Sequence, residues 1–185
     1  MRSPKGIKYV NSFDEARQCL EGLKFHRCPH CGAVGFLIRH GFLRGYDEHG
    51  VFSLRGWRVF CSNRFRRKGC GGTFSLVLAS VLARRWISAS TLWLIARAVC
   101  CGFSFKAAWM KFLPSFSLLS GYRLWRRFRL AQSGLRTLLC REKPPPDCFS
   151  PNPLSQLLEH FRSVFPLDAC PFSAFQFRFQ RCLLF

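Results

Sequence analysis

The stretch that decides the fold reads Cys28-Pro-His-Cys31-Gly at its start and Cys61, then Cys70-Gly-Gly-Thr-Phe, at its end. Two cysteines separated by two residues let both sulfurs reach one metal ion, and the glycine after them tolerates the closing turn. A second pair about thirty residues later is the spacing by which a β-hairpin brings four thiolates to one tetrahedral zinc ion. The sequence therefore predicts a zinc ribbon over residues 28–75, with these four cysteines as ligands.

The residues between the two pairs have the pattern of a hairpin. Apolar and basic residues mix in a strand-like way from Phe36 to Tyr46, and Val51 to Phe60 returns as a second strand. Asp47-Glu-His-Gly50, between them, has the composition of a turn. Such a hairpin would bring Cys61 back beside the first pair.

The second pair is irregular, because eight residues rather than two separate Cys61 from Cys70. The spacer must loop out if both cysteines are to reach the metal, and His26 or His30 is the substitute ligand if Cys61 does not. The spacer contains four basic residues, which are Arg64, Arg66, Arg67 and Lys68. We predict that they grip a phosphate backbone, with a solvated run of charges as the alternative.

Basic residues dominate the charge of the 185-residue chain. There are 29 Lys and Arg against 9 Asp and Glu, for a formal net charge of +20, and 22 of the 29 are Arg. The planar guanidinium suits phosphate oxygens and guanine edges. Residues 28–75 carry +6 and residues 76–142 carry +10, so the charge concentrates in the middle of the chain. Double-stranded DNA is accordingly the predicted partner.

The sequence favours a cytoplasmic, nucleic-acid-associated protein with reduced cysteines. Its first residues have no apolar signal-peptide core, and Arg84, Arg85 and Arg97 interrupt the apolar run 74–103 before it reaches the roughly 20 residues that a bilayer requires. A membrane span is therefore not expected. Seven further cysteines are interpreted as small hydrophobic side chains. They are Cys19, Cys100, Cys101, Cys140, Cys148, Cys170 and Cys182.

A lead-in helix is predicted within residues 1–27. Ser12 can cap its N-terminus, and Glu15 lies three places on, as in a capping box. Ala16 and Leu20 fall on its apolar side. We expect this helix to pack against the ribbon and to take no part in chemistry.

Residues 76–142 are predicted to form a basic helical segment. An apolar helix is expected from Leu76 to Leu82, ahead of helices capped at Ser88 or Ser90 and at Ser104. The last two are short and amphipathic and are joined at a glycine. This is the pattern of a helix-turn-helix, although many structural helix pairs share it.

The next helix, from about Ser120 to Cys140, combines an apolar stripe with an arginine-rich face. The stripe consists of Leu124, Phe128, Ala131, Leu135 and Leu138. The other face carries Arg123, Arg126 and Arg127, and no acid follows until Glu142. A helix has few structural uses for so many unpaired guanidiniums, so these arginines are predicted DNA contacts rather than a merely solvated face.

The C-terminal part begins with a Pro-rich linker over residues 143–153. Residues 154–185 are predicted to form a helix, at 154–165, and then a strand in which phenylalanines alternate with polar residues. Those phenylalanines are Phe175, Phe177 and Phe179. We expect the strand to lie against the core or a partner protein rather than to stack on bases.

Five motifs occur along the chain: Phe13-Asp-Glu-Ala, Cys28-Pro-His-Cys-Gly, His40-Gly, Cys61 with Cys70-Gly-Gly-Thr-Phe-Ser, and Ser104-Phe-Lys-Ala-Ala-Trp109. In this order they resemble the N-terminal part of insertion-sequence transposases, which begin with a zinc ribbon and continue into a helix-turn-helix. The resemblance spans roughly residues 12 to 131. It implies the same four zinc ligands, and it places Lys106 and Trp109 in the DNA-reading unit. The eight-residue spacer departs from the family's usual two.

In those transposases a separate RNase H-like domain, with Asp and Glu residues, binds magnesium and cuts DNA. After Gly50 the acids of this chain are Glu142, Asp147, Glu159 and Asp168, all within its last 44 residues. That stretch is too short for such a sheet, and two-metal phosphoryl chemistry needs its carboxylates. No Ser-His-Asp order or phosphate-cradling glycine loop is present either. The chain is therefore expected to be neither an enzyme nor a binder of a small-molecule substrate.

The predicted fold is α+β and mainly helical. It comprises a zinc-ribbon hairpin, a helix-turn-helix-like segment, and a short C-terminal helix with a strand. The predicted function is zinc-dependent binding of double-stranded DNA in the manner of a transposase's recognition part. Two alternatives stay open. One is a structural or protein-interaction role, with the Phe-rich strand docking a transposase or another protein, and the other is a basic membrane-associated protein.

Overall fold

A four-stranded sheet and a group of helices make up the computed structural model, which describes residues 6–66, 68–82, 87–147 and 150–184. The elements in chain order are β1 (Ile7–Val10), α1 (Phe13–Glu21), a short 3-10 helix (Leu23–Phe25), β2 (Leu37–Tyr46), β3 (Phe52–Cys61), β4 (Thr73–Leu78), α2 (Ala89–Cys100), α3 (Phe105–Phe112), α4 (Leu118–Leu139), α5 (Pro153–Val164) and α6 (Pro171–Phe179). The predicted α+β class is confirmed. Arg67, Arg84, Arg85 and Cys148 lie outside the described residues.

The predicted hairpin is present as β2 and β3. The Asp47 carboxylate closes its tip by accepting hydrogen bonds from the backbone N–H groups of His49 and Val51, both at 2.9 Å. The strand order in the sheet is β1-β4-β3-β2, in which β1 runs parallel to β4 and the other pairs are antiparallel. Strand β1 was not predicted, because its four residues are too few to show an alternating pattern.

The predicted helix from Leu76 to Leu82 is wrong, because Leu76 to Leu78 belong to β4 and the residues after them form a turn and an isolated bridge between Val81 and Ser88. This strand pairs with β1 on one side and β3 on the other, and both of its faces are covered. Leu76 packs in one buried cluster and Val77 in another on the opposite face. A strand buried on both faces is apolar throughout, so its pattern does not distinguish it from a helix. Strand β4 spans the predicted boundary between residues 75 and 76.

The lead-in helix is confirmed as α1, and it covers one face of the sheet. The Ser12 hydroxyl accepts from the Glu15 N–H at 3.1 Å, and the Glu15 carboxylate accepts from the Asn11 N–H at 2.7 Å. Ala16 is fully buried against the sheet residues Trp57 and Leu76. The capping box thus fixes where the helix begins, and its apolar side fixes where it packs.

Helices α2 to α6 share a separate core. Ser88 and Ser104 cap α2 and α3, accepting from backbone N–H groups at 3.1 and 3.2 Å. Helix α4 buries the predicted stripe, whose members are all less than a tenth exposed. Helices α3 and α4 approach each other closely, since a Cβ added at Gly121 would lie 2.7 Å from the Trp109 ring. The helices predicted after Ser88, after Ser104 and from about Ser120 are confirmed with small shifts in their ends.

The predicted C-terminal strand is wrong, since residues Pro171–Phe179 form helix α6. Alternation of phenylalanines at 175, 177 and 179 conceals a helical spacing, because Phe172, Phe175 and Phe179 lie three and four residues apart. Proline at the first helical position favours the helix. Phe172 and Phe175 are fully buried and contact Phe161. They are therefore unavailable to dock a partner protein.

The hairpin tip is attached to the start of α2 by Glu48. One oxygen of its carboxylate accepts from the Ser88 N–H at 3.1 Å, and the other accepts from the hydroxyls of Ser88 at 2.6 Å and Thr91 at 2.7 Å. Burial acts to raise the pKa of Glu48, but these hydrogen bonds outweigh it and hold the pKa below its ordinary value. A carboxylate at a helix N-terminus is also stabilised by the helix dipole.

We predict that Glu48→Gln lowers the free energy of unfolding by about 1 to 2 kcal/mol at neutral pH, since the charge-assisted bonds are lost at a partly exposed site. A depressed carboxyl pKa stabilises the fold above the unfolded-state pKa, and this contribution disappears as pH falls through the folded-state pKa. The wild type should therefore lose more stability than the variant below about pH 4.5. Urea unfolding at pH 7, 5 and 3 measures both effects. An exposed control, Glu21→Gln, should change neither, and equal behaviour of the two variants would refute the role of Glu48.

Candidate metal centre and basic surfaces

The first cysteine pair forms a tight turn. The Cys28 N–H donates to the Ala33 carbonyl at 2.9 Å, and the Gly32 N–H donates to the Cys28 carbonyl at 2.8 Å. Gly32 has a φ of 74°, the left-handed conformation that favours glycine. The His30 N–H points at the Cys28 sulfur at 3.4 Å. The backbone thereby turns both thiols of the pair toward one point.

The irregular second pair is closed by backbone hydrogen bonds at the base of its loop. The Gly69 N–H donates to the Ser62 carbonyl at 3.1 Å, and the Gly71 N–H donates to the Cys61 carbonyl at 3.0 Å. A Cβ added at Gly69 would lie 2.2 Å from the Ser62 carbonyl oxygen, so this crossing has room only for glycine. Six residues are thus looped out, and Cys70 returns beside Cys61.

The four sulfurs come together as a compact set. The Sγ atoms of Cys28 and Cys70 lie 3.8 Å apart, and those of Cys31 and Cys61 lie 3.9 Å apart. All four lie within 4.8 Å of one another. With Zn–S bonds of about 2.3 Å, a tetrahedron has S···S edges of about 3.8 Å. These four cysteines are therefore positioned to hold a metal ion, and their spacing is consistent with zinc.

Backbone N–H groups and burial give the thiols different acidities. The hydrogen bond from the Ala33 backbone lowers the pKa of the exposed Cys31 to about 7. Burial raises the pKa of Cys61, which is fully buried at the end of β3, to about 12. A divalent cation at this point would supply the charge that a buried thiolate needs. One side of the centre is buried and the other faces the surface.

The histidines near the first pair do not belong to this sulfur set. The Nε2 atom of His30 lies 3.0 Å from the Thr73 carbonyl oxygen, which links the knuckle to β4. A Cβ added at Gly72 would lie 2.9 Å from the His30 ring, so the ring rests against the second knuckle. Among the described residues, the group that could hold a metal ion consists of the four cysteines alone. Since Cys61 reaches the centre, neither His26 nor His30 needs to replace it.

The spacer of the second pair presents its basic residues to solvent. Arg64, Arg66 and Lys68 are exposed. The guanidinium of Arg64 lies 5.4 Å above the Phe60 ring, which holds that end of the loop against β3. Arg67, the fourth predicted contact, lies outside the described residues.

A second basic surface lies on α3 and α4. Lys106, Arg123, Arg126 and Arg127 are exposed. Within the described part of the chain, the ion pairs are Asp14–Arg17 and Glu142–Arg178, so no carboxylate neutralises these four cations. Trp109, by contrast, is 2% exposed and donates to the Phe116 carbonyl. Of the two residues that the resemblance placed in the DNA-reading unit, only Lys106 is accessible.

A third group of accessible side chains, not predicted from the sequence, lies on the hairpin itself. Phe42, Tyr46 and Phe52 are each about half exposed, and Arg39 and Arg44 lie beside Phe42. Alternation of aromatic and cationic residues along β2 was the signal that could have revealed them.

The helices of the described residues do not include one that is both long enough and apolar enough to cross a bilayer. Comparisons with protein-family models, with curated proteins and with solved structures gave no match to this chain.

Proposed function

We propose that this chain is a zinc-dependent protein that binds double-stranded DNA, with a recognition unit like that of zinc-ribbon transposases and no nuclease activity of its own. The observation that carries the proposal is the arginine face of α4. Arg123, Arg126 and Arg127 are exposed and unpaired, on a helix whose opposite face is fixed in the core. Rigid, unneutralised guanidiniums suit a regular array of phosphates.

Zinc is the metal we assign to the four-cysteine centre. Four thiolates leave zinc no open position for water or substrate, so its role here is structural. It would join the knuckle of Cys28 and Cys31 to the end of β3 and hold the base of the basic loop. The loop cations Arg64, Arg66 and Lys68 would then make a second contact with the DNA backbone.

Helices α2 and α3 fit the order of a helix-turn-helix. Four residues, Cys101 to Ser104, separate them, and α3 begins at a capped, exposed N-terminus. Lys106 lies in its first turn and faces solvent. We assign α3 to the groove and α4 to the adjacent backbone, because α3 is short and carries few cations whereas α4 carries most of them.

The arginine face can be tested by removing its charge. We expect the triple variant Arg123→Ala, Arg126→Ala, Arg127→Ala to lose roughly tenfold or more in affinity for a 20-base-pair duplex. The slope of log K against log salt should fall by roughly 0.9 for each phosphate contact removed, or nearly 3 in all. Fluorescence anisotropy across a salt series measures both, and far-ultraviolet circular dichroism checks that the helices stay folded.

A matched control removes three exposed cations elsewhere, as Lys8→Ala, Arg17→Ala and Lys24→Ala. This variant has the same net charge as the first. If both variants lose equal affinity and slope, the chain is a generic polycation and the proposed interface is refuted. Loss confined to the α4 variant supports it.

A further inference from the structure

The edge strand β2 carries an alternating row of cationic and aromatic side chains on one face. A bulge at His40 shifts the pairing of β2 with β3 by one residue, so that Phe42 lies on the same face as Arg39. Arg44 and Tyr46 follow at intervals of two residues and keep to that face. Without the bulge, the row would be split between the two faces of the sheet.

Contacts within the row hold its members in order. The guanidinium carbons of Arg39 and Arg44 lie 5.5 and 5.2 Å from the centre of the Phe42 ring, one from each side along the strand. Tyr46 is directly paired with Phe52 across the hairpin, and their ring centres are 5.0 Å apart. Such cation–π and aromatic pairs preorganise the side chains.

The row is accessible at the edge of the sheet, where Leu37 is the one buried residue of β2. Helix α1 covers the part of this face around Trp57, where Phe13 contacts the indole edge-on at 5.9 Å. Beyond it Phe42 is 50%, Tyr46 51% and Phe52 56% exposed. A row of half-exposed aromatic rings is unusual on a protein surface and indicates a binding site.

The side chains of the row indicate which class of ligand it can bind. Aromatic rings offer stacking faces for bases, and the guanidiniums between them offer partners for phosphates. From Arg39 to Tyr46 the row extends on the order of 20 Å, at about 3.3 Å for each residue. The nearby acids are engaged, because Asp47 closes the turn and Glu48 accepts from Ser88 and Thr91. The row therefore matches a polyanion with flat, unpaired bases.

We propose that the row formed by Arg39, Phe42, Arg44, Tyr46 and Phe52 binds single-stranded DNA by base stacking. Bases in a duplex are already stacked on each other and cannot use these rings, whereas unpaired bases can. The site is separate from the proposed duplex site, since it lies on β2 and β3 rather than on α3, α4 or the basic loop. A chain with both sites could hold duplex DNA beside a separated strand.

The test uses the full chain and a fluorescent 15-residue oligo-dT. We expect Phe42→Ala to weaken binding by roughly tenfold, within the range of alanine substitutions at base-stacking rings, while duplex affinity stays unchanged. Arg39→Gln with Arg44→Gln should lower the salt slope for oligo-dT by roughly 0.7 for each phosphate contact. Ultraviolet cross-linking followed by mass spectrometry should place the oligonucleotide on Tyr46 or Phe52.

Phe25→Ala is the control, since Phe25 is 85% exposed but lies in the 3-10 helix, outside the row. It should bind oligo-dT as the wild type does. Unchanged oligo-dT affinity in Phe42→Ala, with zinc content and hydrogen exchange intact, overturns the proposal. It is also overturned if sedimentation shows a dimer that Phe42→Ala dissociates without any effect on oligo-dT, because the row is then a self-association surface. Loss of duplex binding in the α4 variant leaves this result unaffected, so the two proposals fail separately.

Discussion

Replacing Cys61 with serine is expected to abolish stoichiometric zinc binding and to unfold the hairpin end of the sheet. The buried Cys61 sulfur closes the set of four, and serine supplies no thiolate at that point. Because a structural site binds zinc only when folded, its binding free energy is folding free energy, about 10 to 16 kcal/mol in zinc-finger peptides. Zinc content measured by mass spectrometry and thermal unfolding followed by circular dichroism test the loss.

The effect should be local in a way that hydrogen exchange can resolve. Amides of β2, β3 and the loop should exchange rapidly in Cys61→Ser, whereas those of α4 and α5 should stay protected by their own core. A chelator should act in the same way on the wild type. Zinc should also be released as pH falls, since the ligands bind as thiolates.

Cys101→Ser is the matched control, because Cys101 is a free, exposed cysteine that lies outside the sulfur set. It should keep one zinc per chain and the wild-type melting temperature. If Cys61→Ser also retains tightly bound zinc, the four-cysteine assignment is wrong.

Gln176→Leu is expected to lower the free energy of unfolding by about 3 to 5 kcal/mol, since each buried backbone group left without a partner costs about 1 to 3 kcal/mol. The Gln176 side chain is fully buried in α6 and joins the helices to the sheet. Its amide nitrogen donates to the carbonyls of Ala79 at 2.7 Å and Val81 at 3.1 Å, and its oxygen accepts from the Leu183 N–H at 3.2 Å. Leucine fills a similar volume and makes none of these bonds.

Urea unfolding compares this variant with Gln18→Leu, an exposed position on α1 that should change stability by less than about 0.5 kcal/mol. A change of similar size in the two variants would show that the buried amide is not what joins α6 to the end of β4.

Gln180 forms a second connection between the C-terminal segment and the sheet. Its side chain bonds to both the N–H and the carbonyl of Tyr9, at 2.7 and 2.9 Å.

Local chemistry explains which parts of the fold could be predicted. The caps at Ser12, Ser88 and Ser104 each depend on residues within four positions, and so does the apolar stripe of α4. The hairpin was predicted because its strands and turn are consecutive. The error at β4 arises because an apolar strand buried on both faces lacks the periodicity that distinguishes strands from helices. The error at α6 arises because phenylalanines at alternate positions imitate a strand, although Phe172, Phe175 and Phe179 have helical spacing.

The metal centre, too, could be predicted only in part from the sequence. Cys28 and Cys31 were identifiable from their spacing alone, because a two-residue gap fixes the geometry of a knuckle. That Cys61 and Cys70 would meet across eight residues depended on the backbone crossing of Ser62 and Gly69, which no spacing rule describes. The row on β2 likewise depends on a bulge, whose position is set by pairing with β3.

By itself, the sequence determined the first cysteine pair, the caps of α1, α2 and α3, the hairpin and the positive charge, because these follow from composition and from neighbours along the chain. Only the tertiary structure decided that β1 joins the sheet, that Glu48 holds the hairpin tip to α2, and that Gln176 connects the last helix to β4. These features join residues 40 to 97 positions apart. Pairings at such separations depend on how whole elements pack, and local sequence patterns do not predict them.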